Sequence, residues 1–445
     1  MKPGTIFALA SGIGKAGVAV IRVSGDESEL IFSILCTKLP TPRIATRVSL
    51  TDPQTHNLLD QALAFWFPAP ASFTGENVVE LHVHGGRAVV DGVLSSLSHI
   101  RGFRMAEPGE FTRRAFENNK MDLTAAEGLA DLVDAETTAQ RDQALRQMQG
   151  ALGDLYENWR LCLLRASAYL ETSIDFAEEN IPTGLEEDVR SQVQSLKACI
   201  SDHLDEGHRG ERLREGVRVA ILGSPNAGKS SLLNQLAQRD AAIVSETAGT
   251  TRDVIEVYLD LAGIPVILSD TAGIRDALDD IEEEGIRRAL SQADTADFKI
   301  IVADANQFPV LAPEIVSLID SETVIALNKL DLKPPIFNFP EVPVIYISAK
   351  TGVGISELLN IIKSKAKDRF EMSEQPSLTR SRHRKALEDC LASLSQLTAL
   401  SSLIDQPELA AENLRAACAA LGKITGRVDV EDLLDVIFKD FCIGK

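Results

Sequence analysis

A parallel α/β domain inserted in an all-helical domain, with an α+β domain ahead of both, is the fold the sequence predicts. Three observations predict it. From Val217 onward, short apolar runs alternate with helical stretches: Val217 to Leu222, Val266-Ile267-Leu268, Ile300-Ile301-Val302, Val324 to Leu327 and Val344 to Ile347. Such runs read as buried strands of a doubly wound sheet, with ligands expected at the strands' C-terminal ends. On either side, over 124–213 and after Ser377, the chain is rich in helix formers with helical apolar spacing. The ends of a domain usually lie close together, so one helical domain interrupted by the α/β domain is the economical arrangement. Before Lys120, short β-rich runs alternate with Gly and Pro turns. The expected boundaries are 1–119 for the α+β domain, 120–214 and 373–445 for the two parts of the helical domain, and 215–372 for the α/β domain.

With 445 residues, 44% hydrophobic and 25% charged, the composition fits a globular protein with proper cores. The net charge of −20 excludes attraction of nucleic acid to the surface as a whole, so any such binding needs a local basic patch. Residues 1–120 hold 12 Lys and Arg against 11 Asp and Glu, so nearly all the excess lies later. Cys36, Cys162, Cys199, Cys390, Cys418 and Cys442 form no Cys-x-x-Cys pair. Neither a zinc site nor a disulfide framework is therefore expected, and a reducing, cytoplasmic setting is. No signal-peptide apolar region and no run of membrane-spanning length is visible, so no membrane partner is expected.

In the first domain, Gly17 to Gly25, Ala62 to Phe67 and Val78 to His84 read as strands, and Ala88 to Ile100 as a helix. Arg22 and Glu80 lie in apolar strands, and read alone they mark solvated strand faces. His82 and His84 share a strand face, which is half of a metal site with no supporting cluster nearby. Pro108 to Leu123 opens the helical stretch. Leu129, Leu132 and Val133, then Leu161, Leu164 and Ala168, have helical spacing. Glu127, Asp131, Asp134 and Glu136 read as a solvated helix face. Arg380-Ser381-Arg382-His383-Arg384-Lys385 reads as a solvated face or as a phosphate-backbone contact. The last helix carries Val430, Leu433, Leu434, Ile437, Phe438 and Phe441 on one side and leads into Cys442-Ile443-Gly444-Lys445.

The chemistry is most legible at Gly223-Ser224-Pro225-Asn226-Ala227-Gly228-Lys229-Ser230-Ser231, between an expected strand and an expected helix. That is the phosphate-binding loop in its required context. Backbone N–H groups and the helix N-terminus close on phosphate oxygens; Lys229 reaches the β/γ-phosphates and the Ser230 hydroxyl binds Mg²⁺. Asn328-Lys329-Leu330-Asp331 follows a strand and selects the base. The Asp331 carboxylate can accept from both N1 and N2 of guanine, a pair of donors adenine lacks. Asn328 reaches the other side of the base, the Lys329 stem lies along its face, and Ser348-Ala349-Lys350 can place an N–H at O6. Asp270-Thr271-Ala272-Gly273 would hold Mg²⁺ through water and sense the γ-phosphate. Gly249-Thr250-Thr251 would form the first switch, with Thr251 a second Mg²⁺ ligand. These four motifs in order predict an α/β P-loop GTPase domain.

The hydrolytic step has a gap. The residue after Gly273 is Ile274, which cannot orient water as the Gln of Ras-like enzymes does. Asp279, Asp280, Glu282, Glu283 and Glu284 are substitute candidates, and Arg252 and Arg275 are candidate arginine fingers. A bound monovalent cation could supply the charge instead, and the Asn226 amide oxygen suits such a hard ion. On these residues alone the chain is a GTP-hydrolysing enzyme or a regulatory or ribosome-assembly GTPase switch; a folate-dependent one-carbon transferase with a GTPase insert is a third reading, which rests on the resemblance given next. An acidic chain without an appended RNA-binding module disfavours the second.

The chain also resembles the MnmE (TrmE) family of tRNA-modification GTPases over essentially its full length. The specific markers are Gly17 to Gly25, Pro108-Gly109-Glu110-Phe111-Thr112 with Arg114-Ala115-Phe116, and the terminal Phe441-Cys442-Ile443-Gly444-Lys445. The resemblance implies a cytoplasmic homodimer that forms a hetero-oligomer with a flavin-dependent partner of the MnmG (GidA) family. Together they modify C5 of the wobble uridine in tRNA, using a one-carbon unit of 5-formyl- or methylene-tetrahydrofolate. It implies that residues 1–119 bind folate and dimerise, with Arg22, Glu80, Lys120 and Lys445 at the cofactor. It implies that Glu282 polarises the attacking water. K⁺ would be held by Asn226, Ser245, Thr247 and Thr250, activating the GTPase when two G domains meet. Cys442 matches the family's tail cysteine as a candidate catalytic residue. Asn119 departs from the family pattern, which usually has Gly before Lys120.

Overall fold

The computed structural model describes residues 4–36, 38–175, 185–224, 226–238, 242–243, 256–270, 293, 296–308, 311, 313–332, 342–369, 376–403, 405–428, 431–439 and 441–444. The chain divides into two compact units, one of residues 1–130, 147–192 and 392–445, the other of 131–146 and 193–391. No helix among the described residues is long and apolar enough to cross a membrane.

In the first unit, β1 (Thr5–Leu9), β2 (Ala16–Ser24), β3 (Thr46–Thr51), β4 (Leu58–Phe67), β5 (Val78–Gly85) and β6 (Phe103–Met105) form one sheet in the order β3-β4-β5-β2-β1-β6. Only β1 and β6 run parallel. Alternate side chains go to opposite faces. Phe7, Ile21, Val23, Val79 and Leu81 pack with Ile31 and Phe32 of α1 (Leu30–Ile34) and with Val93 and Leu97 of α2 (Arg87–Ser98). Leu97 is fully buried, so its truncation to Ala would cost about 2–5 kcal/mol. On the other face, Ile6 and Ala8 pack with Phe111 of α3 (Glu110–Glu117) and with Phe73. Arg22, Glu80 and His82 belong to this second face by the same alternation.

Helix α3 is pinned by Arg114, which is 3% exposed. Its guanidinium donates to Glu76 at 2.9 Å, Glu110 at 3.2 Å and the Gly4 carbonyl at 3.0 Å. Burial alone would raise the Glu110 carboxyl; the hydrogen bonds from Arg104 and the Glu107 N–H, with the charges of Arg104 and Arg114, hold it below the usual range.

The same unit contains α6 (Ala151–Asp175) packed on α13 (Pro407–Thr425), and α14 (Glu431–Lys439). Leu163 and Ala166 are buried in α6, whereas Leu161 and Leu164 are each 39% exposed. The helical spacing there is correct, but it picks out the outward side. Leu434, Phe438 and Phe441 pack with Leu123 and Ala126 at the start of α4 (Leu123–Asp134). The tail then runs against the first sheet. The Gly109 N–H donates to the Cys442 carbonyl at 3.4 Å. Gly444, at φ +100°, sits where a Cβ would come within 2.1 Å of the Leu9 carbonyl oxygen. Only glycine fits that close approach.

In the second unit, β7 (Val217–Leu222), β8 (Ala242–Ile243), β9 (Glu256–Leu261), β10 (Ile264–Asp270), β11 (Phe298–Asp304), β12 (Thr323–Asn328) and β13 (Val344–Tyr346) form a sheet in the order β13-β12-β11-β7-β10-β9-β8. The five strands from β13 to β10 are parallel, and β9 and β8 add antiparallel edges. All five expected apolar runs are strands. Both faces of the sheet are covered, which is why those runs are continuously apolar. The described helices wholly in this unit are α8 (His208–Glu215), α9 (Lys229–Ala237), α10 (Pro313–Val316) and α11 (Ile355–Arg369), while α5 (Thr138–Met148), α7 (Leu185–Glu206) and α12 (Ser381–Ala399) each cross the division between the units. The architecture is an α/β P-loop domain inserted between helical stretches and preceded by an α+β domain.

Two expected solvated faces need correction. Glu127 is 2% exposed, while Asp134 and Glu136 are exposed as expected. Asp131 Oδ1 accepts from Arg214 at 2.9 Å and from Arg380 at 2.7 Å. The run 380–385 is largely turned inward: Arg384 pairs with Glu211 at 2.8 Å, and His383 is fully buried. Arg380, Arg384 and Lys385 are met by Asp131, Glu211 and Asp389 of the same unit, so most of the run's charge is already paired. Beside it, burial together with the charges of His383 and Arg384 pushes the His203 imidazole down to about 4.

Candidate functional site

The phosphate loop leaves β7 and enters α9 through two left-handed residues, Asn226 at φ +61° and Gly228 at φ +98°. A Cβ on Gly228 would lie 2.2 Å from Asn328 Nδ2. That crowding reflects a tie between the phosphate loop and the base-reading loop. Asn328, at the C-terminal end of β12, donates from Nδ2 to the Ala227 carbonyl at 2.9 Å. Its Oδ1 accepts the Ala349 N–H at 2.9 Å. Asn328 thus fixes three loops together, and the Ala349 N–H is engaged with it. Asp331 Oδ1 accepts from the Ser348 hydroxyl at 2.8 Å, which fixes the plane of the carboxylate.

Lys229 is 7% exposed and its ammonium donates to the carbonyls of Gly223 at 2.8 Å and Ser224 at 3.2 Å, so it is folded back over its own loop. Ser230 and Ser231 follow in the first turn of α9, and both are exposed. One open cleft is lined by Asn226, Gly228, Lys229, Ser230, Ser231, Asn328, Lys329, Asp331, Ala349 and Lys350. The backbone of Asp270 lies beside Ile221 of β7, which brings the end of β10 to the same edge of the sheet. Ser245, Thr247, Gly249, Thr250, Thr251, Thr271, Ala272, Gly273, Glu282 and Lys445 lie outside the described residues.

Reading the residues alone missed Asp304. Its carboxylate receives the Lys329 ammonium at 2.8 Å and the Asn306 N–H at 2.9 Å. Burial raises its pKa, but these bonds outweigh burial and hold the carboxyl below its usual range. An Asp at a strand end facing the Asn-Lys-x-Asp loop is the signal that was available.

A second polar site lies on the face of the first sheet. Arg22 and Glu80 are direct cross-strand partners, with Nε to Oε1 at 3.0 Å and Nη2 to Oε1 at 2.9 Å. The Arg22 guanidinium sits 5.1 Å from the Phe73 ring centre and 5.8 Å from that of Phe111. It is a paired cation in an aromatic bed, which corrects the reading of Arg22 and Glu80 as solvated faces. Lys120 donates to the Pro70 carbonyl at 2.9 Å, at the base of the loop that carries Phe73. Asn119 has φ +56°, a left-handed conformation that Asn tolerates better than most other side chains, so Asn can occupy the position where the resemblance leads one to expect Gly. Cys442 is exposed. His84 Nδ1 pairs with Asp60 at 2.7 Å, and among the described residues no cluster of metal-binding side chains forms around it.

The chain matches the family models for the MnmE helical domain over residues 123–442 and for the GTP-binding protein TrmE N-terminus over residues 5–120. It is 54% identical to the tRNA modification GTPase MnmE of Parvibaculum lavamentivorans over 450 residues, covering 99% of this chain and 100% of that protein. It is 53% identical to the protein of that name from Paramagnetospirillum magneticum, with 99% of each covered. To the mitochondrial 5-taurinomethyluridine tRNA synthase subunit of Danio rerio it is 47% identical, covering 99% of this chain and 93% of that one.

Proposed function

Because the chain belongs to the MnmE family of tRNA modification GTPases, we propose that its GTP hydrolysis drives modification of the wobble uridine at C5. In this reading the protein is a cytoplasmic homodimer that works on tRNA with a flavin-dependent partner of the MnmG family and a tetrahydrofolate one-carbon unit. The observation that carries the nucleotide half is the Asn328–Ala227 tie, 2.9 Å long, which joins the Asn328-Lys329-Leu330-Asp331 loop to the phosphate loop.

The residues act as follows. Asp331, oriented by Ser348, accepts the N1 and N2 protons of guanine. Lys229 leaves the two loop carbonyls it now holds and takes up phosphate oxygens. Ser230 is exposed at the start of α9, so its hydroxyl fits Mg²⁺, a hard cation that prefers oxygen ligands, with Thr251 and, through water, Asp270. Mg²⁺ supplies charge neutralisation at the β/γ oxygens. Glu282 polarises the attacking water, and the leaving group is GDP. Asn226 is exposed in a left-handed turn of the loop, and its amide oxygen fits K⁺ with Ser245, Thr247 and Thr250. K⁺ supplies the positive charge that an arginine finger brings elsewhere.

On the other sheet, a guanidinium–carboxylate pair whose guanidinium lies near the Phe73 and Phe111 rings suits a flat heterocycle with polar edges, and Lys120 and Lys445 suit the carboxylates of a folate tail. The cofactor supplies the one-carbon unit; Arg22 and Glu80 orient its ring, and the Cys442 tail lies along the same domain. Two measurements test the reading. GTP turnover should rise in K⁺ over Na⁺ at equal ionic strength, and equal rates would remove the cation's role. Wobble uridine from a strain lacking the protein should be unmodified by nucleoside mass spectrometry, and normal tRNA would refute the modification role.

A further inference from the structure

We propose that Asp304 is a positioning residue for the nucleotide base, acting through Lys329. The proposal rests on the reading of the cleft as a guanine site and adds a part that the base-reading motif itself does not contain. Lys329 has a left-handed backbone, φ +68°, between Asn328 and Leu330. For a lysine that conformation is strained, and it aims the side chain differently from its neighbours. The stem of a lysine is flexible, and without a partner for its ammonium it would sample many rotamers in the cleft.

Asp304 supplies that partner. It ends β11 and is the register partner of Asn328 on β12, so its position is set by the parallel sheet. The Ala305 N–H donates to the Asn328 carbonyl at 2.9 Å, which locks the turn after β11 to the base-reading loop. The carboxylate divides its two oxygens between two jobs. Oδ1 accepts the Asn306 N–H at 2.9 Å and the Asn306 amide at 3.0 Å, which fixes the carboxylate in place. Oδ2 accepts the Lys329 ammonium at 2.8 Å. The Asp304 side chain is 13% exposed and that of Lys329 is 32% exposed. The pair is therefore screened only in part, with its desolvated end towards the protein. An anchored ammonium stretches the methylene stem along the wall of the cleft, where it forms a flat apolar surface against one face of the base. Asp331 reads the edge of guanine, and Asp304 holds the surface against which the base lies.

Loss of this anchor should act on nucleotide residence more than on the chemical step, because the anchor holds the base-reading loop and makes no contact with the phosphate loop among the bonds described. The test uses the full-length protein and GDP. Asp304→Asn keeps the shape and removes the charge, and should speed GDP release and raise the KM for GTP about five- to twentyfold, with kcat changed less than about twofold. Lys329→Met keeps the stem and removes the ammonium, and should speed release by a similar factor. In the Lys329→Met background, Asp304→Asn should add less than about twofold, since both variants remove one interaction. Asn306→Ala, with Asp304 still present, should change release less than either. Unchanged GDP release in Asp304→Asn, or the same factor in both backgrounds, overturns the proposal. The guanine reading is checked separately on the wild type, which should bind GDP far more tightly than ADP; equal affinities would overturn that reading whatever Asp304 does.

Discussion

The two sheets build their sites in opposite ways. In the parallel sheet the candidate site lies beyond the strand ends, in a cleft lined by the loops that follow β7, β12 and β13. In the antiparallel sheet it lies on the face, between strands, and consists of side chains paired across the register. The first kind depends on contiguous residues in special backbone conformations, so it tolerates almost no added atom. The second depends on two long side chains meeting, so it is sensitive to charge and insensitive to small backbone changes.

Substitution at Gly228 should break the first site most severely. Gly228→Ala places a Cβ 2.2 Å from Asn328 Nδ2 at φ +98°, and so disturbs phosphate loop and base loop together. GTP affinity should fall at least about a hundredfold by titration calorimetry, with 5-formyltetrahydrofolate binding unchanged. A milder loss would mean that the loops can move apart freely. The reciprocal variant, Glu80→Ala, leaves Arg22 without its 2.9 Å partner. It should weaken folate binding at least about tenfold while GTP turnover stays intact.

Acid should separate the two units. His203 is held neutral, at about 4 against an ordinary 6.5. Its contribution is full above about 6.5 and is lost as pH falls towards 4, because the unfolded chain then binds the extra proton; the ceiling is about 3 kcal/mol. Glu110 is depressed below an ordinary 4.5, so its contribution is present above that value and is lost only as pH falls through its lower folded pKa. Between pH 6.5 and 4.5, hydrogen exchange should therefore show the unit containing residues 193–391 weakening while the first sheet does not. His203→Gln should flatten that slope. The smallest effect is expected at Asn119. Asn119→Gly should leave folate affinity within about twofold, whereas Asn119→Ala should cost about 1 kcal/mol of local stability.

The same contrast explains what could be read in advance. The phosphate and guanine motifs were legible because their chemistry needs neighbouring residues in a set spacing, and the structure brings Asn226, Lys229 and Ser230 into one cleft with Asn328, Lys329, Asp331, Ala349 and Lys350. Arg22 and Glu80 are 58 positions apart and meet only through strand register, so residue-by-residue reading made them solvated. The family resemblance, not the pattern, singled out each of the two residues, and neither showed that they pair. Asp131 was misread for the same reason, its partners being 83 and 249 positions away. Asp304 escaped notice because its role depends on which strands are neighbours in the sheet.

The pairing at Asp131 has a topological consequence. Arg214 stands just before the inserted domain and Arg380 just after it, and both reach one carboxylate oxygen. Residues 215–379 thus form a loop whose two ends are clasped at a point. In a flexible chain the entropy of closing such a loop grows only with the logarithm of its length, about 0.6 kcal/mol for each doubling, so a long insert costs far less than its length would suggest.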